Sequence, residues 1–308
     1  MPQEIIVLAL GGNAIASKSR TFDSQFGAIR HATKQISSLA KNGYKIVITH
    51  GNGPQVGDAL LRNEFAKNVV APLPLHACVA ETQGMMGAMI ETALLENLGR
   101  DFKVASLITK VTVSSKDPAF KNPTKPVGPI FTKVELRGIE KLEPLASFKE
   151  VLPGKFRRVV ASPDPISVVE ISAVKKLVEN DYIVIACGGG GIPILDGRKI
   201  SFTDAVIDKD LASERLATAI GASVFVSLTD VEGVYLNFKS KDKKLLKKIQ
   251  VDKIRTLLES GIFSAGSMEP KVRAAMRFAE NSGRPAVITH LGKARKAVEL
   301  KSGTIIYK

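Results

Sequence analysis

The 308-residue chain has no tryptophan, two cysteines and four histidines, and it is poorer in acidic than in basic residues. Cys78 and Cys187 lie far apart and match no zinc or redox spacing, so neither belongs to a disulfide framework and a reducing cytoplasm is expected. His31, His50, His76 and His290 are scattered, which gives no support to a paired-histidine zinc site or a Ser-His-Asp arrangement. No apolar run approaches the roughly 20 residues that a membrane helix needs. The N-terminus carries a strand pattern rather than a basic stretch followed by a signal-peptide core, so no membrane association is expected. Internal repeats and low-complexity segments are also missing. Acidic residues number 30 against 44 basic ones, a net charge of +14. That excess favours anionic ligands, but it is dense only over residues 239–248, and no RNA-recognition signature accompanies it. No nucleic-acid partner is expected.

What is present is ordinary for a globular protein, with 44% hydrophobic and 24% charged residues and enough length for one large α/β domain or two lobes. Residues 4–10 are a nearly continuous apolar run ending at Gly11-Gly12, which predicts a strand buried on both faces. Residues 22–42 place Phe26, Ile29, Ile36, Leu39 and Ala40 at helical spacing, with Gly43 as the stop. A second buried strand over 45–49 runs through Gly51-Asn52-Gly53-Pro54 into another helix. This β-α-β rhythm predicts a parallel sheet covered by helices. It continues with a helix over 83–98 and a strand over 104–109, then breaks across 116–165, where proline recurs from Pro118 to Pro165. A segment that long inside a compact domain is expected to be a small inserted subdomain or lid.

Regular order resumes with a helix over 168–180, a strand over 182–186 and the run Gly188-Gly189-Gly190-Gly191. Residues 192–195 and the turn Asp196-Gly197 predict a hairpin beside the main sheet. A helix opening near Asp208, a strand over 224–228 ending at Thr229-Asp230, and a short strand and helix over 247–258 follow. A helix through Asn281 and strands over 286–289 and 304–307 close the chain.

Four polar or glycine-rich loops thus follow parallel strands: Gly11-Gly12-Asn13, Gly51-Asn52-Gly53, Gly188 to Gly191, and Thr229-Asp230. In an open α/β sheet that edge is where ligands bind, and glycine lets backbone N–H groups approach an anion closely. Each loop alone could be a tight turn; four on one edge point to a site. Known nucleotide signatures are absent. Gly154-Lys155 and Gly292-Lys293 lack the spacing of a P-loop, and residues 51–57 carry one residue too many for the dinucleotide fingerprint. Protein-kinase motifs are missing too. His50 abuts a glycine loop, where a satisfied structural role is expected over ligand contact.

Lys209 and Lys271 are the odd residues. Each falls in the first turn of an expected helix, Lys271 behind Pro270 at the first helical position, so each cation opposes the helix dipole. For Lys209 the flanking Asp208 and Asp210 could supply the missing anion; a bound phosphate is the alternative. Two such lysines on one sheet edge fit a polyphosphate that needs neutralising.

The blocks Leu10-Gly11-Gly12-Asn13-Ala14, Thr49-His50-Gly51-Asn52-Gly53-Pro54-Gln55-Val56-Gly57 and Asn122-Pro123-Thr124-Lys125-Pro126-Val127-Gly128-Pro129 resemble those of carbamate kinases, members of the amino-acid kinase superfamily. Asp117-Pro118-Ala119-Phe120, Arg157-Arg158-Val159-Val160, Ser162-Pro163-Asp164-Pro165 and Ile207-Asp208-Lys209-Asp210-Leu211-Ala212 do so too. Leu228-Thr229-Asp230-Val231 and Ala265-Gly266-Ser267-Met268 with Pro270-Lys271 complete a match in family order across the chain. Phe156 and Ala161 depart from it, standing where the family has tryptophan and proline.

The resemblance implies a three-layer αβα sandwich with a mainly parallel open central sheet and a small protruding subdomain, assembled as a homodimer. It implies a substrate-binding half over 1–203, with the subdomain over about 116–165 inserted, and a nucleotide-binding half over 204–308. The implied reaction is reversible phosphoryl transfer between ATP and carbamate, giving ADP and carbamoyl phosphate, with Mg²⁺ held mainly by the nucleotide phosphates and no direct protein ligand. Lys209 and Lys271 would stabilise the moving phosphoryl group, Lys125 would reach in from the subdomain, and Asp208 would orient Lys209. Gly11, Gly12, Asn13, Gly51, Asn52, Gly53, Gly189 and Gly190 would hold phosphate and carbamate. Thr229, Asp230, Val231, Tyr235, Met268 and Pro270 would lie near the nucleotide. The alternatives are another superfamily kinase acting on a different small acid or phosphate, and a non-catalytic nucleotide or metabolite sensor on the same fold.

Overall fold

A computed structural model describes residues 4–15, 19, 21–142, 146–238, 240–264 and 266–308, the side chains of residues 13, 14, 141 and 142 excepted. Among the described residues, eight strands form the central sheet. Their order is Lys248–Gln250, Thr304–Tyr307, Ala286–His290, Val224–Thr229, Ile5–Leu10, Lys45–His50, Ile183–Ile185 and Val104–Ser106. Every pairing from Ala286–His290 to Val104–Ser106 is parallel, and Thr304–Tyr307 runs antiparallel to Ala286–His290.

The continuous apolar runs have a simple cause. Successive strand side chains point to opposite faces, and both faces are covered. Val7, Ala9, Val47 and Phe225 pack with Val174 of helix Ile171–Glu179, Leu216 of helix Lys209–Ala219 and Phe278 of helix Met268–Ser282. Ile6, Leu8, Ile46 and Val226 pack with Ile29 and Ile36 of helix Phe22–Lys41 and with Met86 and Ile90 of helix Leu75–Leu98. The result is a helix–sheet–helix sandwich. The Phe225 and Phe278 rings meet with centroids 5.7 Å apart and tie the nearer helix layer to the sheet.

The break at 116–165 is a small antiparallel subdomain: strands Lys125–Thr132, Lys155–Val160 and Ser147–Leu152, with helix Lys133–Leu142 between the first and the last in sequence. Pro126 and Pro129 sit in its edge strand, where a missing N–H costs no ladder bond. A second, four-stranded sheet of Ser201–Phe202, Ile192–Leu195, Lys110–Val113 and Pro165–Val168 lies at its base. The hairpin expected around Asp196-Gly197 forms, but it belongs to this second sheet rather than standing beside the central one.

Four boundaries differ from expectation, the first being the helix expected over 168–180, which forms as Ile171–Glu179 after a strand that ends at Val168. Helix Leu75–Leu98 begins eight residues early: Leu75, Cys78, Val79 and Thr82 lie on one buried face, but the half-buried Ala77 and Ala80 beside it blur the contrast between faces. The strand expected over 104–109 ends at Ser106, beyond which the chain turns into the second sheet. Helix Met268–Ser282 begins before Pro270, which therefore occupies the third helical position and not the first. The ring is tolerated there because the first four N–H groups have no intrahelical partner.

The four loops seen in the sequence follow four consecutive strands of the central sheet, so they lie side by side at one edge. Their close packing depends on glycine at Gly190, whose φ is 93° and where an added Cβ would collide with the Ile207 carbonyl oxygen. Gly190→Ala should therefore lower stability by about 2–4 kcal/mol, the sum of left-handed strain and overpacking. A reduced urea midpoint at unchanged slope is the expected result; an unchanged midpoint would mean that the loop relaxes freely.

Candidate active site

Helix Lys209–Ala219 opens at the centre of that edge. Asp208 is its N-cap, with φ −69° and ψ 126°, and its carboxylate accepts the Asp210 N–H at 2.9 Å. Lys209 is therefore at the first helical position. Its carbonyl accepts the Ser213 hydroxyl at 2.5 Å, and Ser213 is in turn bonded to Thr49 of the adjoining strand, also at 2.5 Å. The opening turn is thus bound to the sheet and to its own cap.

One carboxylate joins two lysines brought from separate helices. Asp210 Oδ1 accepts from Lys209 Nζ at 2.7 Å, and Asp210 Oδ2 accepts from Lys271 Nζ at 2.9 Å. Ser227 on strand Val224–Thr229 also donates to Asp210 Oδ1, at 2.9 Å. Lys125, the first residue of the subdomain's edge strand, donates to Asp208 Oδ2 at 3.0 Å. The expected pairing of Asp208 with Lys209 is thereby corrected: Asp208 caps the helix and holds Lys125, while Asp210 holds Lys209. The sequence offered Asp210 beside Asp208 as an anion for Lys209, but the expected site assigned a role to Asp208 alone. The available signal was the Asp-Lys-Asp pattern, which offers two anions to a misplaced cation without saying which one turns inward.

Burial decides the electrostatics. Asp210 is only 3% exposed. Burial alone would raise its carboxyl pKa, but the two ammonium groups prevail and hold it well below the usual carboxylate range. Lys209 is pulled down to about 8, first by burial and then by the charge of Lys271, against the attraction of Asp210. For Lys271 burial also works downward, but Asp210 prevails and its pKa is raised. Three lysines against two carboxylates leave the cluster one positive charge in excess, available to an anion.

That cluster lines a cleft of about 320 Å³ together with Gly11, Gly12, Gly51, Asn52, Gly53, Gly189, Thr229 and Asp230. It opens into a larger cavity of about 800 Å³ lined by Val231, Tyr235, Phe238, Ile262, Phe263 and Met268. Thr229, Asp230, Ser267 and Lys271 border both. The arrangement offers a small, strongly polar compartment joined to a wider one with aromatic and aliphatic walls. At Gly51 an added Cβ would come within 3.0 Å of the Gly12 nitrogen, so the first two loops touch through bare backbone. Asn52 donates to Thr82 at 2.8 Å, which fixes its side chain at the cleft wall.

Not every expected residue lines the cleft. Gly190 lies behind it against Ile207, and Pro270 is buried within its helix and borders neither compartment. The side chain of Asn13 falls outside the described residues. His50 is buried, bonded to the Gly51 carbonyl at 3.1 Å, and burial pushes its pKa down to about 4. It is neutral and has a structural role.

A divalent cation must be considered wherever phosphates bind. Among the described residues, no group of three or more histidine, cysteine, aspartate or glutamate side chains could enclose one. Asp208 and Asp210 are occupied by lysines, and Asp230 accepts from the Thr229 hydroxyl at 3.0 Å. That donor set fits Mg²⁺ carried on nucleotide phosphates, which keeps most of its shell as phosphate oxygens and water.

The model of the amino acid kinase family matches residues 4–290. Carbamate kinase of Pyrococcus furiosus is 43% identical over 307 residues, spanning 97% of this chain and 98% of its own length. Carbamate kinase of Oenococcus oeni is 40% identical over 313 residues, with 100% of each chain covered. Among solved structures, the carbamate kinase from Giardia lamblia bound to AMP-PNP superposes with a TM-score of 0.94 at 39% identity, covering 100% of this chain and 99% of that one.

Asp210→Asn tests the cluster. Two buried ammonium groups would then face each other without a counter-charge, and stability should fall by about 3 kcal/mol or more. Urea unfolding at neutral pH measures this; a loss too small to detect would mean that solvent reaches the lysines and replaces the carboxylate.

Proposed function

The chain belongs to the amino acid kinase family, and from that premise we propose that it catalyses reversible phosphoryl transfer between ATP and carbamate, yielding ADP and carbamoyl phosphate. The observation that carries this proposal is the lysine–aspartate cluster at the junction of the two compartments, in a chain matched along its whole length by carbamate kinases. Residues 1–203 supply the small compartment's glycine loops and hold carbamate; residues 204–308 supply most of the wider one and hold the nucleotide.

Carbamate already carries an anionic oxygen, so the reaction needs no general base, and the neutral, bonded His50 is consistent with that. What transfer requires is alignment and cancellation of the charge spread over the moving phosphoryl oxygens. A carbamate oxygen attacks the γ-phosphorus of ATP in line, the bond to the β-phosphate oxygen breaks, and ADP leaves with that electron pair. Lys209 and Lys271, fixed by Asp210, face the transferring group from the nucleotide side. Lys125, fixed by Asp208, faces it from the subdomain. Gly12 and Gly53 offer backbone donors to phosphate and carbamate, while the N–H groups of Gly11 and Gly51, bonded to the Leu228 and Leu10 carbonyls, hold the two loops in shape, and Asn52 and Gly189 complete the wall. Mg²⁺ bound with the nucleotide supplies further neutralisation of phosphate oxygens. Thr229, Asp230, Val231, Tyr235 and Met268 border the nucleotide.

The protein works as a homodimer in the cytoplasm. Exposed Phe65, Val69 and Val70, clustered at the end of helix Gly53–Ala66, support a buried partner surface, and the two free, buried cysteines support a reducing compartment.

Three outcomes are expected. In a coupled assay with Mg²⁺, the folded protein should form ATP from ADP and carbamoyl phosphate, in preference to the acyl and phosphate donors of other superfamily kinases. Lys209→Ala should lose on the order of 10²-fold or more in kcat, as for removal of other preorganised charge stabilisers. Absence of turnover in the parent protein would sink the proposal; near-normal turnover in the variant would make Lys209 merely structural. The third outcome concerns pH. Lys209 is charged below its pKa and neutral above it, so kcat/KM should decline as pH rises through about 8. A profile that stays flat through the alkaline range would show that its charge is not used.

A further inference from the structure

The two helices that deliver Lys209 and Lys271 share a second feature outside the cleft. Six residues beyond each lysine stands an arginine, Arg215 and Arg277, about 9 Å farther along the axis and roughly 120° around it. Both arginines reach the same short segment. Arg277 grips Asp164 with two parallel bonds, Nη1 to Oδ1 at 2.7 Å and Nη2 to Oδ2 at 2.6 Å. Arg215 Nε donates to the Pro165 carbonyl at 2.9 Å. This segment is where the chain leaves the protruding subdomain. The Asp164 N–H also donates to Asp117, at the subdomain's entrance, at 2.9 Å, so entrance and exit are fastened at one point.

From Asp164 the connection to the cleft is short. Four residues back is Val160, which pairs with Lys125 across the subdomain sheet. Between them the Ala161 carbonyl accepts the Val206 N–H at 3.0 Å, beside the Asp208 cap. We infer that the Asp164–Arg277 pair is a positioning element for phosphoryl transfer, setting the subdomain so that Lys125 meets Asp208 in register with Lys209 and Lys271. The inference rests on the function proposed above. The pair's chemistry suits alignment better than stabilisation. Asp164 is 42% exposed in its side chain, so solvent screens the attraction and its contribution to stability is small. A two-pronged guanidinium–carboxylate contact nevertheless fixes distance and angle together. Arg277 also lies near the buried Glu214, whose carboxyl it helps to keep charged. The cleaner perturbation is therefore made at Asp164.

The test compares Asp164→Ala in the wild-type and Lys125→Ala backgrounds, with Arg277→Lys as the conservative variant. In the wild-type background Asp164→Ala should lower kcat by roughly tenfold, since small misplacements of a charge-stabilising group are costly. KM for ADP should stay unchanged. In the Lys125→Ala background the further loss should shrink to about twofold or less, because two residues acting through one contact are not additive. Arg277→Lys should fall between, since an ammonium cannot reproduce the two-pronged geometry. Hydrogen exchange, which needs no turnover, provides an arm independent of the substrate. The Thr124 and Val206 amides, now bonded to the Val160 and Ala161 carbonyls, should exchange faster in Asp164→Ala while the central strands do not. Equal kcat losses in both backgrounds, or unchanged exchange at those two amides, would overturn the inference. An inactive parent protein would count against the proposed reaction alone and leave the exchange result to decide this one.

Discussion

A single buried carboxylate determines how this cleft is built. Asp210 sits between two ammonium groups from different helices, and neither lysine could remain charged at that depth without it. Removing charges from water costs several kcal/mol per ion, a penalty that only close pairing and hydrogen bonding offset. Each lysine donates to one oxygen of Asp210, and both line the cleft. The helix dipole, which opposes a cation in the first turn, is opposed in turn by Asp208 at the cap and Asp210 within the turn.

The rest of the fold supplies what that pairing needs. Helices Lys209–Ala219 and Met268–Ser282 pack together on one face of the central sheet, so their openings converge at the same edge. Strand Val224–Thr229 contributes Ser227 from below, and strand Lys45–His50 contributes Thr49. Glycine loops from neighbouring strands bring bare backbone to within contact of the same space. The wider compartment, with Tyr235, Phe238 and Phe263, adds an aromatic and apolar wall beside the charged cleft.

Much of this was legible in the sequence, for identifiable reasons. Strands buried on both faces produce unbroken apolar runs, and Gly43, Gly51 and Gly188 mark where elements stop. The positions of Lys209 and Lys271 drew attention because a cation at a helix opening conflicts with the dipole. Contacts between distant elements were less accessible. That Asp210 rather than Asp208 holds Lys209 depends on which way a helical turn faces, and one residue shifts that by about 100°. Pro270 suggested a helix start two residues late because proline is tolerated throughout the first turn. Helix Leu75–Leu98 hid its opening because small apolar residues such as Ala77 and Ala80 flank its buried face and weaken the contrast that reveals a surface helix. Gly190 shared a run with Gly189, and only the packing against Ile207 separates the glycine that lines the cleft from the one that supports it.

The six-residue interval between each lysine and the arginine behind it also bears on how such a chain can change over time. A substitution between Lys209 and Arg215, or between Lys271 and Arg277, alters one contact. An insertion or deletion there rotates everything beyond it by about 100° per residue and separates the two ends of the helix from their partners at once. Length variation among descendants of this chain should therefore collect in the turns and the protruding subdomain, and these two stretches of helix should keep their residue count even where their composition drifts.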